Sequence, residues 1–502
     1  MTDDDANNAR SDAAGDSGLS EIRDGIGQIV RSPSYQALSQ LPTGADLEPV
    51  RRDDSRLIAF YLPQFHVIPE NSEWWGAGFT EWTNVARGKP NFDGHVQPKV
   101  PRELGYYDLS DVDVMARQAE LARTYGLHGF CFYHYWFSGR RILEKPVDQF
   151  LKSDIEFPFC LCWANENWTR TWDGKEHDIL LRQSYAKGDA LAFIRDLMPY
   201  IQDRRYIRVN GAPLIVVYRA KAIPDPAAWF KIWKKYAAGH GIPDLHICVV
   251  DFYDIETAKQ VGADALVEFP PHKLTGPQTA PSPPLEMTNP DFKGTVSDYS
   301  RIIAFSANRK KTRERLYRGI IPGWDNTARR QNTPGLVIRS SPRKYEEWLR
   351  FLRTQARIDH PDPDQRLIFI NAWNEWGEGC CLEPDQQFGL GYLESTLRSG
   401  VLDRGQDSVS EQQARQRLFD FLDKTETTPD EIDRALQFKP DAARRRRATS
   451  AGETGGPAKV DWSKVKAPPK LVVMVSMALA RWPLAHVAAS KTYRALRWLL
   501  GR

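Results

Sequence analysis

The chain has 502 residues, of which 41% are apolar, 11% aromatic and 26% charged, with 34 glycines and 34 prolines. That balance excludes a collagen-like, coiled-coil or wholly disordered protein and supplies enough apolar material for a large core. The net charge of +3 is uneven: residues 441–502 carry 13 Lys/Arg against 3 Asp/Glu, and the remainder 55 against 62, so the body offers no basic groove for nucleic acid while the tail suits a polyanionic surface.

Residues 1–52 are acidic and poor in aromatics, which predicts a disordered segment with one short helix around Ser20–Ile29. The first residues lack a positive region followed by an apolar one, so they do not read as a signal peptide. No run reaches the ~20 apolar residues of a spanning helix. Six cysteines occur without a CxxC pair. The expected setting is cytoplasmic, with buried reduced thiols.

From Arg56 the composition changes. Eight apolar runs of strand length follow: Leu57–Leu62, Leu127–Phe132, Phe157–Trp163, Leu214–Tyr218, Leu245–Val250, Ala265–Phe269, Gly319–Trp324 and Leu367–Ala372. They are near-continuous rather than alternating, as parallel strands buried on both faces should be. Helical spacing appears in Ser110–Tyr125, Asp189–Ile201, Pro226–Ala237 and Pro342–Thr354. Eight strands alternating with helices predict an α/β fold, a (β/α)8 barrel of the TIM type. The doubly wound open sheet is the alternative, weakened because no GxGxxG follows the first strand. Long segments at 64–110, 164–188 and 270–296 follow strands one, three and six, which puts them on the C-terminal face, where barrel enzymes keep their sites.

Past Ser399 the barrel should be complete. The expected division is a catalytic domain at 53–400, a helical extension at 401–440, a basic linker at 441–470 and a basic amphipathic tail at 471–502. The extension would hold a helix at Ser410–Asp423 and another opened by the Thr428–Glu431 capping box. A Trp-bearing basic tail of this kind suits an anionic membrane surface, hence a peripheral placement on the inner face of the cytoplasmic membrane.

The strand ends carry the chemistry. The first is followed by His66, Trp75, Glu81 and Trp82, the second contains His134, Tyr135 and Trp136, and the third leads into Trp163, Asn165 and Glu166. The seventh leads into Trp324, Asp325, Asn326 and Arg329, and the eighth into Trp373, Asn374, Glu375, Trp376 and Glu378. Aromatic faces pack on sugar rings while amides, carboxylates and guanidinium groups bond hydroxyls, so this mixture is what a carbohydrate subsite needs. Glycosidic chemistry needs two carboxyl groups at the anomeric carbon, one of them able to stay protonated. Glu375 and Glu378 are the pair expected to be catalytic, the others to bind substrate. Each competes with a plainer role: a loop acid for Glu81, a core imidazole for His134, a structural ion pair for Asp325 and Arg329. His66, His134 and His272 have no zinc-site spacing, and no phosphate-binding or nucleophile-elbow motif occurs, so neither a metal nor a cofactor is expected. Asp111-Val112-Asp113 could serve a nucleotide-sugar-dependent transferase, but capping of the following helix explains it better.

The runs IAFYLPQFHVIPENSEWWGAGFTEWTNV (58–85), GFCFYHYWFSGRRILEKPV (129–147), CWANENWTRTWDG (162–174), WDNTARR (324–330) and INAWNEWGEGCCLEPD (370–385) resemble the WbsX-type family. That resemblance, spanning about residues 56–398, implies a glycosyltransferase-like enzyme of lipopolysaccharide and O-antigen biosynthesis acting on an oligosaccharide or lipid-linked glycan. The strand-eight motif also resembles that of glycoside hydrolase family 99, the endo-α-mannosidase family of (β/α)8 barrels. Its N-E-W-x-E-G pattern falls on Asn374, Glu375, Trp376, Glu378 and Gly379, with Glu383 matching a further acid. The likeness implies retention of configuration, with Glu375 as base on the sugar 2-hydroxyl and Glu378 as acid/base. This chain departs from it at Gly377, where that family usually has His. A non-catalytic sugar-binding scaffold is the remaining alternative.

Overall fold

The computed structural model describes residues 52–426, apart from 171–174, 253, 283, 310–314 and 403–408. The expected helices near Ser20 and Thr428, the linker and the basic tail lie outside the described residues. Among those described, eight parallel strands close into a barrel: β1 (Arg56–Tyr61), β2 (Gly129–Phe137), β3 (Phe159–Trp163), β4 (Ala212–Val217), β5 (His246–Val250), β6 (Ala265–Val267), β7 (Leu316–Ile320) and β8 (Leu367–Ile370). Each pairs with the next in sequence, and β1 closes the ring by pairing with both β2 and β8, in register Ile58 to Gly129 and Ala59 to Ile370. The strands are apolar along their length because one face fills the barrel and the other meets the helices. Inside, Phe60 meets Phe269 edge-on at 4.9 Å and Phe369 at 5.6 Å. Outside, Trp163 stacks on Phe193 at 4.2 Å.

The helices return the chain to the start of each strand. They are α1 (Val112–Thr124), α2 (Lys145–Lys152), α3 (Asp189–Ile201), α4 (Pro226–Ala238), α5 (Tyr299–Ala307), α6 (Pro342–Asp359) and α7 (Gly391–Ser399). The fifth return uses a single 3-10 turn at Ala258–Val261. Local chemistry sets their starts: Asp225 and Ser341 cap α4 and α6, each followed by Pro at the first helical position, where proline's missing N–H costs nothing. Asp111 caps α1 by accepting from the Asp113 N–H, so the DxD string is helix punctuation. A last helix, α8 (Glu411–Glu426), packs on α6, with Leu418 and Leu422 buried.

Two strands depart from the sequence expectation by more than two residues. β2 runs on to Phe137 and turns back in a hairpin with Arg140–Ile142. Trp324 does not end β7: β7 stops at Ile320, and Trp324–Asp325 belongs to a separate three-stranded sheet with Thr295–Asp298 and Gly335–Ile338 on the C-terminal face. The glycine and proline at 322–323 interrupt an apolar run that reads as one strand.

Candidate active site

A cavity of about 590 Å³ opens at the C-terminal ends of the strands, within the size range of small-ligand sites. Trp75, Tyr133, Tyr135, Trp168, Tyr218 and Trp324 supply aromatic walls. Glu166, Asn326, Arg329, Glu375 and Glu378 supply polar groups.

The hairpin after β8 explains the glutamate pair. Asn374–Glu375 pairs antiparallel with Cys380–Cys381, and Trp376–Glu378 forms one 3-10 turn between them. Glu375 ends the strand just before the turn and Glu378 closes it, and the two carboxylates face the same way, onto one guanidinium. Gly379 ends the turn at φ +60, a left-handed backbone that favours glycine. The Asn374 side chain pins the hairpin to β1, accepting from the Leu62 N–H at 2.7 Å and donating to the Leu62 carbonyl at 3.0 Å. Behind it, Glu383 accepts from Trp376 Nε1 at 2.6 Å, Gln118 Nε2 at 2.6 Å and the Tyr107 hydroxyl at 2.9 Å.

Arg329 unites the acids. Its Nε donates to Glu81 Oε1 at 2.7 Å, Nη1 to Glu378 Oε1 at 2.7 Å and Nη2 to Glu375 Oε2 at 3.0 Å. It is carried by the 3-10 turn Asn326–Ala328, which Asp325 caps by accepting from the Thr327 N–H. Asp325 is itself fixed by His95 at 2.7 Å and Gln97 at 2.6 Å. One guanidinium thus serves three carboxylates, of which Glu81 is wholly buried and Glu375 nearly so. Burial and the neighbouring Glu378 push the Glu375 carboxyl up to about 8, with Arg329 opposing. Burial also raises Glu378, again against Arg329. Two close acids that cannot both ionise cheaply hold a proton between them at neutral pH, the state a glycosidic acid/base pair requires.

This proton has a stability consequence. An unfolded glutamate titrates near about 4.3, whereas the folded Glu375 titrates near about 8. Between those values the folded chain keeps a proton that the unfolded chain has lost, so rising pH costs stability. Denaturant unfolding of the wild type and Glu375→Gln from about pH 4.5 to about pH 8 should show the wild type falling progressively behind the variant. A pH-independent difference would contradict the assignment.

The expected site residues divide into three groups. Trp75, Tyr135, Glu166, Trp324, Asn326, Arg329, Glu375 and Glu378 line the cavity. Glu81, Asp325, Asn374, Trp376 and Glu383 form its supporting layer, and Trp82 packs on Trp376 at 5.6 Å. The rest lie away from the cavity. His134 and Trp136 point into the helix layer, His134 bonding Asp196 at 3.0 Å and Trp136 meeting Phe193. Trp163 sits among Phe193, Trp229 and Trp233. His66 bonds the Pro63 carbonyl, and Trp373 packs on Phe130. Asn165 clamps the backbone of Arg219, accepting from its N–H and donating to its carbonyl. These six make packing and backbone contacts and do not line the cavity.

Strand alternation sorts part of this correctly: Tyr133 and Tyr135 share one face of β2, His134 and Trp136 the other. The cavity also takes Tyr218, Arg219, Phe252 and His272 from the ends of β4, β5 and β6, of which only His272 stood out in the sequence. The signal that could have found the others is their position immediately after apolar runs. Arg219 lies over the Phe252 ring at 4.4 Å. Among the described residues no group of three or more His, Cys, Asp or Glu side chains is arranged to hold a metal ion, and no helix is long and apolar enough to cross a membrane.

Residues 57–396 match the family described as glycosyltransferase WbsX. Two curated relatives, each an uncharacterized protein WxcX, come from Xanthomonas campestris pv. campestris strains B100 and ATCC 33913. Both are 42% identical over 407 residues, covering 78% of this chain and 58% of their own length. The chain thus spans less than two thirds of these relatives. Among solved structures, a glycoside hydrolase-like protein overlaps 72% of this chain and 98% of its own at 13% identity, with a TM-score of 0.43. A GH99 endo-alpha-mannosidase from Bacteroides thetaiotaomicron overlaps 73% and 99% at 16% identity, with a TM-score of 0.40.

Proposed function

The chain belongs to the WbsX glycosyltransferase family, and from that membership we propose that it is a carbohydrate-active enzyme that makes or cleaves glycosidic bonds in bacterial surface polysaccharide. The observation that carries this reading is the fork of Arg329 onto Glu375 and Glu378 at the wall of an aromatic-lined cavity. The substrate is an oligosaccharide or lipid-linked glycan of the lipopolysaccharide or O-antigen class.

In the proposed reaction Glu375 takes the proton of the sugar 2-hydroxyl, and the freed oxygen attacks C1 to close a 1,2-anhydro ring. Glu378 gives its proton to the departing glycosidic oxygen. A water or a sugar hydroxyl then opens the ring, losing its proton to Glu378 while the 2-oxygen recovers one from Glu375, and configuration is retained. Burial raises both acids and so favours a proton on the pair in the empty cavity. A hydroxyl donated to Glu375 by bound sugar stabilises its ionised form and so moves the shared proton to Glu378, where the departure step needs it.

Hydrolysis and transfer share this chemistry and differ in the acceptor. Incubation with free and lipid-linked O-antigen fragments, read by mass spectrometry, separates them: shortened glycans indicate water as acceptor, lengthened ones a sugar. No change in any fragment, with saccharide binding retained, would favour the scaffold instead. The basic segment 441–502 is proposed to hold the enzyme at an anionic membrane face. Its removal should abolish sedimentation with anionic liposomes while leaving the barrel folded; unchanged sedimentation would end that proposal.

A further inference from the structure

Glu81 opens a short helix (Glu81–Val85) in the segment after β1, far in sequence from both catalytic candidates, yet it takes one of the three donor edges of Arg329. It is wholly buried and does not line the cavity. Its second oxygen accepts from Asn84 Nδ2 at 3.3 Å. Trp376 and Gly377 stand between the catalytic candidates, and a Cβ built at Gly377 would stand 1.9 Å from Glu81 Oε1 and 2.9 Å from Arg329 Nε. The Gly377 backbone is not left-handed, so its conformation does not demand glycine. The space it leaves is filled by the Glu81 carboxylate.

We propose that Glu81 is a positioning residue of the reaction centre: it holds Arg329 by Nε so that the other two nitrogens fork onto Glu378 and Glu375, and residue 377 is glycine to admit it. The inference rests on the reading of Glu375 and Glu378 as the reacting pair and adds a third acid that touches no sugar. Without Glu81 the guanidinium has one carboxylate fewer to balance and loses the bond from Nε to that carboxylate. With it, one cation stands among three acids, and the reacting pair retains a shared proton. The other ionisable groups facing the pair do not replace this influence. Burial raises Tyr133, Tyr135, Tyr218 and Cys380 far above neutrality, which leaves Arg330 beside Glu378, and Glu166 paired with Arg219 across the cavity, as the other charged groups.

The test needs no sugar, so its failure is separable from failure of the proposed activity. Infrared difference spectra of the full chain, titrated from about pH 5 to about pH 9, report the protonated carboxyl band; Glu375→Gln identifies which band belongs to that residue. In Glu81→Gln, whose amide oxygen can still accept from Arg329 Nε and keep the fork in place, the Glu375 midpoint should fall by about one pH unit, because a nearby like charge has gone. An unmoved midpoint would overturn the proposal. A second pair of variants tests the steric part of the proposal separately, by thermal unfolding rather than titration. Gly377→Ala should lower the thermal midpoint in the wild-type background, and most of that loss should vanish in Glu81→Ala, since contacting sites are non-additive. Equal losses in both backgrounds would also overturn it, because the glycine would then serve something other than Glu81.

Discussion

Replacing Arg329 with Met is expected to lower the stability of the folded chain by about 3–5 kcal/mol at neutral pH, the cost of breaking a buried ion pair by removing one partner. The size of the effect comes from what remains. Glu81 and Glu375 have almost no access to water, and Glu378 is only partly exposed. All three lose their shared donor at once. The loss should be pH-dependent: acid protonates the stranded carboxyls and removes their repulsion, so the gap between wild type and variant narrows as pH falls. Denaturant unfolding at several pH values measures both features. A loss below about 1 kcal/mol, as surface pairs give, with no pH dependence, would mean that Arg329 is not the organising cation.

Glu378→Gln is expected to reduce turnover by about 10²–10⁴-fold, the contribution of one positioned acid or base. Glycan binding should survive, because glutamine keeps the shape and one acceptor oxygen of the side chain. Glu375→Gln should cost a similar factor through the other proton transfer. The two losses should not multiply, since residues that act as a unit are non-additive. Rate and affinity measured on the same glycan decide the matter. Equal loss of binding and turnover would make these residues ligands only.

The barrel was legible because parallel strands buried on both faces are mostly apolar, and each of the eight expected runs overlaps one of the observed strands. α3 runs from Asp189 to Ile201 as its spacing predicts. The same continuity hides which face of a strand looks into the barrel. Around His134 and Trp163 both faces are aromatic, so no polar contrast marks the inner side, and residues of the helix layer read as site residues. The run at 319–324 conceals a break because a strand may end without losing hydrophobicity. Glu375 and Glu378 were legible through their spacing beside indoles and glycines. The roles of Glu81 and Gly377 were not, since they depend on a contact with Arg329 across 248 positions, which no local pattern encodes. The departure at Gly377 from the resembling hydrolase motif has a steric account here: the volume a side chain would take holds the Glu81 carboxylate.

The measurement that bears most directly on the whole account is a crystal structure of Glu378→Gln with a bound O-antigen oligosaccharide. In it a sugar ring should sit against the walls of Tyr135 and Trp324, with its 2-hydroxyl on Glu375 and its glycosidic oxygen at residue 378. A glycan bound outside this cavity, or one whose reducing-end bond lies beyond reach of both positions, would contradict it.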